Sequence, residues 1–272
     1  MNHPPTAVGG ILRDFDASAY KRVPRPNAMK VAEITRELSS LADSGTASFL
    51  QRFFKTGPGE YGDGDLFRGI RVPVLRKLAK KYQHLSLPEI AKLLHSFHHE
   101  DRLLALLILV RTYSSGDDAV KEKIHQLYLR NTRSINNWDL VDASAPQIVG
   151  AFLWEKDHAV LDRLARSSDL WERRIAIMAT FHFIKRGEFT KTLQLAEILL
   201  PDREDLIHKA VGWMLREVGN RNLKVEERFL RKHYKQMPRV MLRYAIEKFP
   251  EPKRQQYLKG TLSKAHVNPD VS

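Results

Sequence analysis

Val72-Pro-Val-Leu-Arg-Lys-Leu-Ala-Lys-Lys-Tyr82 sets apolar side chains at 72, 75, 78, 79 and 82, with basic residues between them. That three-and-four spacing is the period of a helix burying one stripe, because about 3.6 residues complete a turn. Outward from it the same period recurs in Pro88–Phe97, Arg102–Tyr113, Ala119–Leu129 and Leu140–Leu153. It continues through Trp171–Phe183, Leu206–Val218, Val225–His233 and Arg239–Phe249. Ser86-Leu-Pro-Glu89 reads as a capping box with Pro88 inside the first turn. No stretch alternates as a half-buried strand would, and the connections are short. The chain reads as all-α.

Helix-to-helix periods of roughly 15–20 residues make two-helix units near the ~40 of stacked helical repeats. The expected architecture is a superhelical solenoid of HEAT-like antiparallel helix pairs with a concave basic face. One such domain is expected over residues 28–260. The Pro-, Gly- and Ala-rich stretch 1–27, containing Arg22-Val-Pro-Arg-Pro26, reads as a flexible arm, and 261–272 as a flexible tail. Trp138, Arg174 and Trp213 lie 36 and 39 residues apart, about one two-helix unit each, so the three are expected on one face.

Charge supplies the next constraint. The 272 residues carry 45 Lys and Arg against 32 Asp and Glu, a formal net charge of +13. Residues 201–260 hold 15 Lys/Arg and 8 Asp/Glu, more than half of the excess in under a quarter of the chain. A protein this basic is drawn to polyanions, nucleic acid first and anionic membrane second. No apolar run approaches the roughly 18–20 residues that cross a bilayer, and the N-terminus lacks the pattern of a signal peptide. There is no cysteine, which excludes disulfides, thiolate metal sites and cysteine nucleophiles. A cytoplasmic location is expected.

Several formal motifs lack the context their chemistry needs. Gly57-Pro-Gly59-Glu-Tyr-Gly62 matches G-x-G-x-x-G but follows the helical stretch Phe49–Lys55 rather than a strand. Gly62-Asp-Gly-Asp65 lacks the ligand ladder and closing Glu of a calcium loop. His98-His99-Glu100 lacks the four-residue spacing that sets two imidazoles on one helix face, and no H-E-x-x-H occurs. A lone histidine on such a surface reads as an ordinary polar residue. No metal and no cofactor are expected.

One constellation remains. In Asn136-Asn-Trp-Asp-Leu-Val-Asp142, Trp138 and Asp142 are four apart and share a helix face. An indole beside a carboxylate suits a ligand that is flat, sugar-like or positively charged. Trp171-Glu-Arg-Arg174 sets two arginines at the start of an apolar helix, and Lys209-Ala-Val-Gly-Trp213-Met-Leu-Arg216-Glu217 adds a second tryptophan beside a glycine that permits close backbone approach. Each residue also has an ordinary structural use. Trp138 and Trp213 would serve as core aromatics, Asp139 rivals Asp142 as the acid, and Arg173 rivals Arg174 as an anion ligand.

Together with Phe67-Arg-Gly-Ile-Arg-Val-Pro-Val-Leu-Arg76, these segments give F-x-G-I-x-x-P-x-x-R, W-D-x-V-D, W-x-x-R-x-A-I and K-A-x-G-W-x-L-R-E. In that combination the chain resembles, over roughly residues 30–255, the AlkD-type DNA alkylation repair proteins, DNA glycosylases built from HEAT-like repeats. The resemblance implies Asp142 as catalytic carboxylate and Trp138 and Trp213 as lesion-contacting aromatics. It matches Arg174 to the family's arginine ahead of the A-I pair; by residue chemistry Arg174, or Arg173 in its place, is expected to hold a phosphate, with Arg216 a further phosphate-binding candidate. It implies double-stranded DNA containing 3-methyladenine or 7-methylguanine as substrate, and free base plus an abasic site as products. Residue chemistry agrees: an N-alkylated purine already carries its leaving-group charge, so a carboxylate near C1′ and a positioned water suffice. No lysine is placed by motif for a Schiff base, so a monofunctional hydrolase is expected; a monomer is expected as well. The alternative is a non-catalytic HEAT-like module binding bent, branched or damaged DNA. The loop 57–65 looks like an addition to the family pattern.

Overall fold

A computed structural model of the protein describes residues 31–262. The arm over 1–27 and most of the tail over 261–272 lie outside the described residues. The regular elements of the described residues are helices, in the order α1 (Val31–Ser40), α2 (Ser44–Phe53), α3 (Val72–Lys81), α4 (Leu87–Leu94), α5 (His99–Ser115) and α6 (Asp118–Arg130). It continues through α7 (Trp138–Asp142), α8 (Ala151–Leu153), α9 (Ala159–Ala165), α10 (Leu170–Ala179), α11 (Phe181–Ile184) and α12 (Thr190–Leu199). The last four are α13 (Asp205–Gly219), α14 (Leu223–His233), α15 (Arg239–Ala245) and α16 (Glu251–Lys259). Among the described residues there is no strand, only one parallel bridge between Leu66 and His98. No described helix is long and apolar enough to cross a membrane.

Two layers build the solenoid. In one, α5, α7, α10, α13 and α15 each pack on the next; in the other, α9, α12 and α14 back them. The core between the layers is aliphatic. Leu104, Ile108, Leu140, Ile175, Ile177, Leu215 and Met241 are among its fully buried members. The first layer carries Trp138, Asp142, Arg174, Trp213 and Tyr244 of the site described below, and the end of α2 with the loop 57–65 closes over it.

The local breaks position that site. The periodicity of Leu140–Leu153 predicts one helix, but α7 ends at Asp142 and the chain passes through a π-helical turn, Pro146–Gly150, before α8. Pro146 has no N–H to donate, so the i to i−4 ladder cannot run through it and the turn widens. Trp171–Phe183 is likewise divided at Thr180, whose hydroxyl bonds Ile177 O at 2.7 Å. The Ser86 capping box forms only in outline. Helix α4 starts after Ser86 with Pro88 in its first turn, yet the serine makes no cap bond. The Glu89 carboxylate accepts instead from Val31 N–H at 2.9 Å and pairs with Lys92. A tertiary tie to α1 has replaced the local one.

Gly212 fulfils its expected part. A Cβ there would lie 2.4 Å from Met241 O and 2.6 Å from Tyr244 Cβ, so only glycine lets α13 and α15 close to this distance. That approach delivers Tyr244 to the same space as Trp213.

Candidate active site

A cleft of about 500 Å³ opens on the first layer. It is lined by Phe53 and Lys55 at the end of α2, Tyr61 from the loop 57–65, Trp138 and Asp142 of α7, and Arg174 of α10. Glu204, Asp205, Leu206, Lys209 and Trp213 of the α13 region and Tyr244 of α15 complete it. Four of the six sequence-derived site residues, Trp138, Asp142, Arg174 and Trp213, therefore meet in one cavity.

Asp142 and Arg174 form its floor. Arg174 Nε donates to Asp142 Oδ1 at 2.9 Å and Nη2 to Oδ2 at 2.8 Å, a two-pronged pair that fixes the carboxylate plane. Arg174 Nη1 donates to Leu206 O at 2.5 Å. The pair is nearly closed from solvent, with side chains 6% and 16% exposed. Burial pushes the Asp142 carboxyl above its ordinary value; Arg174 pulls it back and the Asp139 charge adds to the rise. Where sequence reading expects Arg174 to hold a phosphate, the guanidinium is buried and holds the carboxylate. Three of its five N–H groups are committed within the protein.

The rival acid faces elsewhere. Asp139 Oδ2 lies 2.9 Å from His99 Nε2, away from the cleft lining. The i to i+4 geometry that favours Asp142 as the partner of Trp138 holds here, and the carboxylate of Asp139 is engaged by His99 instead.

Both tryptophans are partly buried, with one side packed on the core and the other on the cleft. Trp138 stacks on Phe54 with centroids 5.2 Å apart, meets Phe53 edge-on, and donates Nε1–H to Tyr61 OH at 3.3 Å. Trp213 donates Nε1–H to Glu217 Oε1 at 3.3 Å and lies 6.0 Å from Phe181. The core and ligand-facing readings of these indoles are thus compatible.

Arg173 and Arg216 do not reach the cleft. Arg173 Nε donates to Asp202 at 2.6 Å, and its Nη1 to the carbonyls of Ser167 and Ser168. Arg216 pairs with Glu247 and lines a separate pocket with Lys248 and Lys253. Both partners, Asp202 and Glu247, lie about thirty positions along the chain, beyond any local pattern.

Sequence reading missed Tyr61, Tyr244, Phe53 and Lys55. The signal for Lys209 was present, since it stands one turn before Trp213 and pairs with Asp205 at 2.7 Å while keeping a 39% exposed side chain. Tyr61 was hidden in the glycine-rich loop set aside with G-x-G-x-x-G. His99, read as an ordinary polar residue, is 1% exposed between two aspartates. No group of three or more His, Asp or Glu among the described residues is arranged to hold a metal ion.

Three cations (Lys55, Arg174, Lys209) and three carboxylates (Asp142, Glu204, Asp205) line the cleft between aromatic walls. Such a lining can receive a flat cation by its faces and place a carboxylate beneath it. A structure from Enterococcus faecalis, described as a predicted DNA alkylation repair enzyme, superimposes with a TM-score of 0.60. It is 15% identical and covers 77% of this chain and 97% of that one, a likeness that shows the fold. The crystal structure of smu.31 from Streptococcus mutans UA159 gives a TM-score of 0.46 at 16% identity, over 79% of this chain and 94% of that one. No curated protein matches. The model of the family described as DNA alkylation repair enzyme matches residues 34–249, nearly the whole stack from α1 to the end of α15, and the chain belongs to that family.

Proposed function

We propose that the protein hydrolyses the N-glycosidic bond of positively charged alkylpurines, 3-methyladenine and 7-methylguanine, in duplex DNA. The observation that carries this reading is the convergence of Trp138, Trp213 and the Arg174-braced Asp142 in one cleft. As the bond to the cationic base lengthens, positive charge moves onto the deoxyribose. Asp142 stabilises that charge at C1′ and orients the attacking water, and the indoles hold sugar and base by their faces. Arg174 acts through Asp142 by fixing its plane. Lys209 and Lys55, both on the cleft lining, take the phosphate contacts that Arg173 and Arg216 are not placed to make.

The reading predicts release of free 3-methyladenine and 7-methylguanine from methylated duplex DNA, leaving an unbroken strand with abasic sites. Borohydride trapping should yield no covalent adduct, and a trapped adduct would overturn the hydrolytic scheme. The acid limb of the single-turnover rate should follow Asp142. Its carboxyl is raised, so the active carboxylate is lost as pH falls through a midpoint above the ordinary aspartate value of about 3.9. A rate profile corrected for spontaneous depurination tests this, and a midpoint at or below that value would contradict the buried position of the acid.

A further inference from the structure

His99 opens α5 and lies 1% exposed where the loop 57–65, α5 and α7 meet. Its Nε2 is 2.9 Å from Asp139 Oδ2 on α7, and its Nδ1 is 3.4 Å from Asp65 Oδ2 at the end of the loop. Its ring is stacked on Phe67, with centroids 4.6 Å apart, and packs on Phe54 at 5.0 Å. Phe54 in turn stacks on Trp138. Four rings thus run in contact from the core to the wall of the cleft, with the imidazole inside the column.

We propose that His99 is a positioning residue for the cleft: an imidazolium clasp that bonds the 57–65 loop, with Tyr61, to the first turn of α7 and so fixes the aim of Trp138 and Asp142. The catalytic consequence rests on the glycosylase reading; the positional one does not.

The charges facing the ring require a cation there. Asp65 approaches from the loop and Asp139 from α7. From α5 itself come Arg102, 2.7 Å from Asp65 Oδ2, and Glu100, whose oxygens are turned to the N–H groups of Arg68, Gly69 and Ile70. Two carboxylates against one guanidinium leave a negative charge for which the imidazolium is the counter-ion. Both ring nitrogens are donors only in the protonated form. A neutral ring would turn a lone pair toward one of the aspartates. Burial alone would lower the His99 pKa, but Asp139 and Asp65 outweigh it and push the value up to about 9. The clasp is therefore closed at neutral pH and opens as pH rises through that value. Tyr61, which accepts from Trp138, has its own ionisation raised by burial above the ordinary tyrosine value, so it stays silent in this window.

The test follows the indole Nε1–H resonance of Trp138 by NMR from pH 6.5 to 10, assigned with Trp138→Phe. In the native protein the signal should move with a midpoint of about 9. In His99→Gln it should be displaced at pH 7 and flat across the range. If His99→Gln does not fold, Asp65→Asn keeps the Asp139 contact and should lower the midpoint. In the activity arm, the native rate should fall as pH rises through about 9, and His99→Gln should remove that fall while reducing single-turnover base release at pH 7 by up to about 10²-fold, with duplex binding retained. A Trp138 signal that does not titrate, or whose midpoint is the same in the variants, would overturn the proposal. Native protein that releases no base but shows the titration would remove the glycosylase reading and leave the clasp standing.

Discussion

Arg174→Met should lower the melting temperature by roughly 10 °C and end base release at neutral pH. Asp142 is nearly closed from solvent and its charge is compensated in the cleft by one guanidinium. Removing one partner of a buried pair typically costs about 3–5 kcal/mol, because the remaining charge is stranded rather than because the pair is strong. For a domain of this size each kcal/mol moves the midpoint by about 2–4 °C. The sign of the pH response identifies the cause. A carboxyl whose folded pKa is raised takes up a proton more readily in the folded state, so its penalty is greatest at high pH. The penalty is relieved as pH falls through the folded value. The variant should thus recover toward native stability on acidification. Asp142→Asn added to Arg174→Met should recover it at neutral pH, since no charge is then left unpaired. Differential scanning calorimetry on both variants across pH decides this. An Arg174→Met protein as stable as the native one would mean that the pair is not buried as described.

Gly212→Ala should destabilise the protein even though alanine is the better helix former. In an open helix the change gains about 0.8–1.0 kcal/mol. Here the added methyl meets Met241 O at 2.4 Å, a backbone atom that cannot turn aside, and α13 and α15 must part. Overpacking of that kind costs about 1–3 kcal/mol, so the clash outweighs the propensity. Gly212→Val should lose more, and Tyr244 should withdraw from Trp213. Thermal denaturation of the two variants gives the order native, Ala, Val. A gain in stability for Ala would show that the helices are not in contact at Gly212.

The residues that made the fold legible in sequence are those whose partners are local or periodic. The 72–82 stripe, the recurrence of helices near twenty residues, and the 36- and 39-residue spacings that bring Trp138, Arg174 and Trp213 together all rest on repetition. What escaped rests on partners distant in the chain. Glu89 left its capping box for Val31 N–H, and Arg173 and Arg216 were taken up by Asp202 and Glu247. Pro146 ended a helix that periodicity ran to Leu153, because apolar spacing does not register a missing donor. The loop 57–65 was judged by a nucleotide motif it does not use, which concealed Tyr61 and the burial of Asp65 against His99. In the pair Asp139 and Asp142 helical geometry alone favoured Asp142; the histidine that engages Asp139 lies forty positions away and left no local signal.

One comparison decides whether Asp142 is the carboxylate of a DNA glycosylase. Release of 7-methylguanine and 3-methyladenine from methylated duplex DNA is measured for the native protein and for Asp142→Asn, with duplex binding measured alongside. Asparagine keeps the shape and removes the charge, so release should fall by about 10²–10³, the range seen when one preorganised electrostatic group is lost, while binding persists. Native protein that binds DNA and releases no base would remove the glycosylase, and an Asp142→Asn variant that releases it at the native rate would remove Asp142 as its carboxylate.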